Sequence, residues 1–309
     1  MKVEGFALAD GTATVSTANA LLLWNAMAQK DLDLNLTLTD DITLPEPAEG
    51  GSNWTPVGKV SYPYTGTIDG GGYTLTGMVI NSTENNQGFV GYLGSAGKVQ
   101  NLTFANATVT SSGWQVGIVA GYNEGTVENS HTIGTFSVEG FESVGGIVGY
   151  NSGLVFACIN SSAVRATVEK NSLELYEFAV GGVGGIVGDN YGGDVIACGN
   201  KGVVNGKYNS GGIVGRHDGG SVIASWTQGT NETHNDGNAP SSTENGVGNE
   251  ASGCIITHCY VLSEESDVTV SISNMNTAIE EYNSKASVKC LYRWVPVTGG
   301  YPTLKTVTE

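Results

Sequence analysis

The stretch Gly145-Gly146-Ile147-Val148-Gly149-Tyr150-Asn151-Ser152-Gly153-Leu154-Val155 decides how this chain folds. A β-branched pair sits between glycines, an Asn/Gly turn follows, and a second apolar run begins at Leu154. Turn punctuation every few residues leaves no room for a helix, so the phrase reads as short strands. It recurs. Val119-Ala120-Gly121-Tyr122-Asn123-Glu124-Gly125 precedes it, and Ile186-Val187-Gly188-Asp189-Asn190 and Ile213-Val214-Gly215-Arg216-His217 follow it. A looser copy starts at Phe89-Val90-Gly91-Tyr92 and a degenerate one ends at Ile255. The apolar residues closing the phrases, Val99, Val127, Val155, Val195, Val222 and Ile255, lie 28, 28, 40, 27 and 33 residues apart. Self-similarity at such a period marks a stacked-repeat architecture.

Strands this short and glycine-rich are unstable as a free-standing sheet. Stacking pairs each strand with its counterpart in the next copy, about 4.8 Å away, and builds a continuous core. The expected fold is therefore all-β: one parallel β-helix (β-solenoid) domain over residues 1–309, with roughly three short strands per coil and short helical caps at both ends. The apolar run Ala20-Leu21-Leu22-Leu23-Trp24 places a cap helix at 18–30, with Thr17 or Asn19 as its N-cap. Alternation from Leu32 to Thr39 reads as a half-buried strand entering the first coil. Stacked coils are expected over 54–262, interrupted by insertions at 161–179 and 228–248. A capping segment over 274–305, with a short helix at 276–284, is expected to close the last coil.

Stacking turns repeats into columns. The closing residues form an inward aliphatic ladder, and Asn101, Asn129, Ala157, Ala197, Ala224 and Thr257 supply small residues two places later. Between them, period-two alternation points Gln100, Glu128, Phe156, Ile196, Ile223 and Ile256 outward. The last four are apolar, so this stripe is either covered by the chain's own insertion or C-terminal segment or is an interface. Tyr92, Tyr122 and Tyr150 share another column, continued by Asp189 and Arg216. A tyrosine ladder either braces a coil corner or offers flat faces and polar tips to a sugar or protein. The candidate contact residues are thus Tyr92, Tyr122, Tyr150, Phe156, Ile196, Ile223 and Ile256.

Composition narrows the function. Among 309 residues there are 46 glycines, without the every-third-residue period of collagen. A net charge of −17 argues against nucleic acid, which demands a basic footprint. No apolar run approaches the roughly 20 residues of a membrane-spanning helix. The five cysteines (158, 198, 254, 259 and 290) show no CxxC or metal-ligand spacing and are expected to be free and mostly buried. Cys158 and Cys198 fall in one column as stacked thiols, because parallel Cβ vectors seldom meet disulfide geometry. The start, Met1-Lys2-Val3-Glu4-Gly5, has no apolar leader core, yet the acidic, Asn/Gly/Thr-rich make-up is that of exported chains. A secreted or cell-surface protein whose leader lies outside this sequence is expected.

The phrase at 145–153 resembles the GLUG repeat of bacterial surface proteins. That repeat occurs in filamentous adhesins and ahead of the catalytic domain of zinc metallopeptidases that cleave immunoglobulin A. Trp54-Thr55-Pro56-Val57-Gly58 with Tyr64-Thr65-Gly66-Thr67-Ile68-Asp69-Gly70-Gly71-Gly72 resembles the first-coil signature preceding such repeats. Trp294 and Gly300-Tyr301-Pro302-Thr303-Leu304 are similar to the segment that often follows them in exported proteins of gut Bacteroidetes. The resemblance spans about residues 20 to 305 and departs from the pattern at Asp189, Arg216 and the two insertions. It implies a right-handed β-helix, an extracellular adhesive role with a host protein or glycan as partner, and no catalytic residues.

Zinc peptidase chemistry needs two histidines four apart on a helix, but His131, His217, His234 and His258 are isolated. A GxSxG elbow is absent. Carboxylate pairs for a glycoside hydrolase or polysaccharide lyase would come from Glu124 with Glu128, Glu139 with Glu142, or Asp189, Asp194 and Asp218, all readable as solvated turn residues. Asp189, Asn190, Asp194 and Asp218 also offer hard oxygen donors to Ca2+, yet no EF-hand or GGxGxDx repeat appears, so no cofactor is expected. The reading is a non-catalytic adhesion or binding module. Its rivals are a carbohydrate-active β-helix enzyme and a passive stalk of a larger surface protein.

Overall fold

The computed structural model describes residues 3–134, 137–167, 181–206, 209–228, 246–262, 268–297 and 300–307. The chain winds into a β-solenoid whose five sheets are parallel throughout the coils. One coil consists of Lys98–Gln100, Thr103–Ala105, Thr108–Ser111, Trp114–Gly117 and Ala120–Asn123, five strands where three were expected. A single left-handed residue turns two of its corners, Asn101 (φ 54°) and Asn106 (φ 56°). No multi-residue turn is needed there, so a 28-residue period has room for two more strands.

Thr126, Val127 and Glu128 pair with Lys98, Val99 and Gln100 on one side and with Leu154, Val155 and Phe156 on the other. The inward ladder is as the pattern implied for Val99, Val127, Val155, Val195 and Val222, all with no exposure. Its last rung is not. Val222 pairs with Ile256, so Ile256 belongs to the inward column, Thr257 takes the outward place and Ile255 is 53% exposed. Two adjacent isoleucines satisfy the pattern equally, and the corner decides between them. Asn101, Asn129, Ala157, Ala197, Ala224 and His258 all have left-handed φ, so this column, ending in His258 rather than Thr257, is a conformational corner.

The repeat glycines serve close approach instead of positive φ. A Cβ at Gly145, Gly184 or Gly211 would lie 1.9 Å from the carbonyl oxygen of Val148, Val187 or Val214. Inside the coils, amides stack as ladders. Asn123 donates to Asn151 and Asn151 to Asn190, both at 2.7 Å, and Asn190 Nδ2 lies 3.1 Å from His217 Nδ1. On another sheet, Thr132 donates to Asn160 and Asn160 to Asn200. Asn151, Asn190, Asn160 and Asn200 thus each meet a rung on either side, which is how a buried polar column avoids most of its desolvation penalty, while Asn123 at the ladder's end bonds one side and keeps a buried Oδ1 unpartnered. Ser130, Cys158, Cys198, Ser225 and Cys259 form a third such column, each bonding the carbonyl two residues back. All five cysteines are free, Cys158 and Cys198 included.

Helix α1 (Ala18–Ala28) plugs the first coil, capped by Thr17, whose hydroxyl accepts from Ala20 N. Its Trp24 stacks on Trp54 and Phe89 and meets Tyr64 edge-on within the main core. Helix α2 (Val268–Lys285) is longer than its sequence signal and lies on the flank of the later coils. There it packs with the hairpin of Tyr292–Val297 and Gly300–Thr306. Asn276 and Asn283, two turns apart on α2, each bond hairpin-side backbone at both N–H and C=O, at Trp294 and Cys290. Within 161–179, Ala163–Ala166 is a coil strand, and 168–180 lie outside the described residues. Within 228–248, Val247–Glu250 begins a coil strand, and 229–245 lie outside them, His234 included.

Candidate functional site

The outward apolar stripe is covered by the chain itself. Phe156 (2% exposed), Ile196 (0%) and Ile223 (9%) share a core with Ile272, Met275 and Ile279 of α2 and with Tyr292 and Trp294. These three are therefore not partner contacts, and Ile256 fails as one because its register turns it inward. The covered region can be read in the corner column. Asn101 and Asn129 hydrogen-bond one another at 2.9 Å where the coils face solvent, while Ala157, Ala197 and Ala224 lie fully buried beneath the cover. Left-handed alanine is strained by about 1–2 kcal/mol, but a buried Asn there would need partners that an apolar cover lacks.

The tyrosines do form a ladder. Ring centroids of Tyr92 and Tyr122 are 4.4 Å apart with planes 5° from parallel, and Tyr122 and Tyr150 are 4.6 Å apart at 21°. Repeating one residue every coil imposes this spacing, since paired rungs hold their side chains a strand separation apart. The ring faces are consumed by stacking; Tyr92 is buried, and Tyr122 and Tyr150 are partly exposed. The Tyr92 hydroxyl donates to Glu124 at 2.6 Å, and burial, then Glu124, holds its pKa above the ordinary phenol value. Burial likewise raises Tyr150, with Tyr122 and Asp189 adding to it.

At the next rung Asp189 occupies the tyrosine position, and Tyr191 takes over the stack from two residues further on, 6.1 Å from Tyr150. The sequence hid this because the ring is offset from its column. Tyr191 is 55% exposed. A cavity of about 120 Å3 opens beside it, lined by Tyr150, Asp189, Asn190, Tyr191, Arg216 and Asp218. Asp189 is buried and accepts from Ser143 Oγ at 2.7 Å and from the Gly182 amide at 2.5 Å. Burial keeps its pKa above the ordinary carboxylate value, opposed by those donors and by Arg216. Glu142 is raised by burial and by Asp189 and lowered by the Gly181 amide. Arg216 contacts Asp218 at 3.3 Å, both side chains being partly exposed.

A groove of about 640 Å3 adjoins this face between α2 and the coils. Thr126, Leu154, Asp194 and Ser221 line it from the coils, and Glu281, Tyr282 and Lys285 from α2. Glu124, which holds the Tyr92 hydroxyl, lines it too, so ladder and groove are continuous. Burial, then Asp194, pushes the Tyr282 phenol up to about 12. Among the described residues no three His, Cys, Asp or Glu side chains are grouped to hold a metal ion. No described helix is long and apolar enough to cross a membrane.

Comparison with known proteins gives partial relatives. No family model matches the chain. Over 137 residues, 43% of the chain, it is 35% identical to halomucin of Haloquadratum walsbyi, and over 83 residues, 26% of the chain, 37% identical to an Evansella cellulosilytica protein assigned as a Gly-rich membrane protein. The matched parts are 2% and 10% of those relatives' lengths. Among solved structures, a Bacteroides ovatus protein assigned as an immunoglobulin A1 protease superposes with a TM-score of 0.61 at 18% identity, covering 96% of this chain and 93% of that one. At that identity the likeness shows the fold alone.

Proposed function

We propose that the chain is a non-catalytic binding module of the GLUG-repeat type, displayed on a cell surface or secreted, that engages a host protein or glycan through its tyrosine face. One observation carries this: the ladder of Tyr92, Tyr122 and Tyr150 runs into a half-exposed Tyr191 beside an open cavity and a groove of mixed polar and apolar lining. A rigid stack of phenols that ends in a half-exposed ring suits a surface that recognises a ligand. Relatives named halomucin and Gly-rich membrane protein support a surface setting. The enzyme reading has its foothold in Glu142 and Asp189, both held above the ordinary carboxylate value chiefly by burial, with Asp189 adding to Glu142 and Asp218 to Asp189. Asp189, however, has each oxygen engaged by its own chain, which suits it poorly to proton transfer to a substrate.

Probing glycan and host-protein arrays with wild type and Tyr191→Ala, beside a polysaccharide-degradation screen, tests the reading. Binding that wild type shows and the variant loses is expected. Degradation of any glycan overturns the non-catalytic assignment. No binding on either array leaves a passive stalk as the better description and overturns the module.

A further inference from the structure

We propose that Tyr191, Arg216 and Asp218 form a recognition site for the adjacent hydroxyl groups of a neutral pyranose sugar, resting on the binding-module reading and naming its ligand class. The cavity exists because a ring is missing from the column. With Asp189 in place of a tyrosine, Tyr150 and Tyr191 stand 6.1 Å apart instead of 4.4–4.6 Å, and Tyr191 is left 55% exposed. Of the polar groups lining the gap, Asp189 is committed to Ser143 and Gly182, and Asn190 to the interior ladder and Gly193. Arg216 and Asp218 are not so committed. They share one contact at 3.3 Å and keep about a third of their side-chain surface exposed.

A guanidinium brings five donors in a fixed fork and a carboxylate brings acceptors only. One contact leaves both with capacity, side by side, next to an aromatic ring. Two neighbouring sugar hydroxyls each donate and accept, so they satisfy this pair together while the apolar ring face lies against the phenol. Charge selects within the sugars. Asp189 and Asp218 against one Arg216, in a chain of net charge −17, repel a uronate or sulfated sugar. A cationic ligand would compete with Arg216, which already contacts Asp218. At about 120 Å3 the cavity takes one edge of a pyranose, below the ~300 Å3 at which pockets enclose a drug-sized ligand, so a chain end or branch is engaged.

The test is saturation-transfer NMR of the full chain with the methyl glycosides of mannose, galactose and glucose, and with glucuronate. Transfer to at least one neutral glycoside and none to glucuronate is expected. Tyr191→Ala and Arg216→Lys, the latter keeping charge but losing the fork, should each weaken that binding at least tenfold. Tyr62→Ala, a 70% exposed tyrosine outside the site, should not. Circular dichroism of each variant establishes that it folds, and Asp218→Asn replaces any that does not. Absence of transfer, equal transfer to glucuronate, or unaltered binding by the variants overturns the sugar site. If the arrays still show a protein ligand lost in Tyr191→Ala, only the sugar assignment falls; if they show nothing, the module reading falls with it.

Discussion

Replacing Asn151 by alanine should unfasten the solenoid locally. The Asn151 amide donates to Asn190 Oδ1 at 2.7 Å and accepts from Asn123 Nδ2 at 2.7 Å, with Gly153 at 3.3 Å through both its N–H and its C=O. All three asparagines are at most 1% exposed, so water cannot replace what is lost. Truncation leaves Asn123 Nδ2 with only a 3.4 Å contact to the Leu154 carbonyl and Asn190 Oδ1 without its donor from Asn151. Each orphaned buried group costs about 1–3 kcal/mol, giving about 3–4 kcal/mol in all, or two to three powers of ten in the local opening constant. Because each coil of a solenoid contacts only its neighbours, the effect should be local. Hydrogen exchange measures this directly. Protection of the Ser152 and Leu154 amides, which bond Asn123 and Gly125, should fall by that factor, while strands Asn35–Leu38 and Thr67–Asp69 stay within a few tenths of a kcal/mol. A change below about 1 kcal/mol at Ser152, or equal loss at both ends, would refute the view that the ladder fastens rung to rung.

Other expectations follow from the same geometry. Ile196→Ala, under the C-terminal cover, should destabilise by about 2–4 kcal/mol and speed proteolysis within 262–306, read by mass spectrometry; unchanged cleavage would deny that the stripe holds the cover. Gly145→Ala should abolish folding or cost more than about 3 kcal/mol, since its Cβ meets a carbonyl, whereas Gly192→Ala (φ +76°, open space) should cost only about 1 kcal/mol in urea titrations. His131 is held down to about 4 by burial, with Lys201 adding to it, and its Nδ1 accepts the Ile159 amide. It stays neutral folded but protonates unfolded below 6.5, so its contribution is present above pH 6.5 and lost as pH falls toward about 4. His131→Asn should therefore flatten the stability difference between pH 7 and pH 5, and an identical pH profile would sink the assignment. Alkylation of the native protein should label Cys254 alone, because the other four thiols are buried and burial pushes Cys259 and Cys290 up to about 12. Unfolding should expose all five.

Much of this molecule was legible in its repeat. The phrase around Ile147 and Val148 carries the coil period, the inward valines and the stacked thiols, because a side chain recurring once per coil must stack on itself. The plug helix was legible too, since Thr17 and the apolar run through Trp24 are local signals. The interior amide ladders were missed although the signal was present: Asn123, Asn151 and Asn190 recur at one place in the phrase. Polar residues beside turns read as solvated, and only closure of the coil shows them turned inward. The last rung failed because Ile255 and Ile256 are interchangeable to a pattern with period two.

What the sequence determined by itself is the architecture, since periodicity is a property of the chain and one stacking arrangement satisfies it. Which surfaces remain free was decided only in three dimensions. The Phe156 stripe is covered by a helix that begins 112 residues after Phe156 and 45 after Ile223, a contact no local pattern encodes. The tyrosine column looked broken at Asp189, yet Tyr191 restores it from a neighbouring position and leaves a cavity beside Arg216 and Asp218. Stacking fixes columns through nearest neighbours, whereas exposure depends on everything that folds back over them.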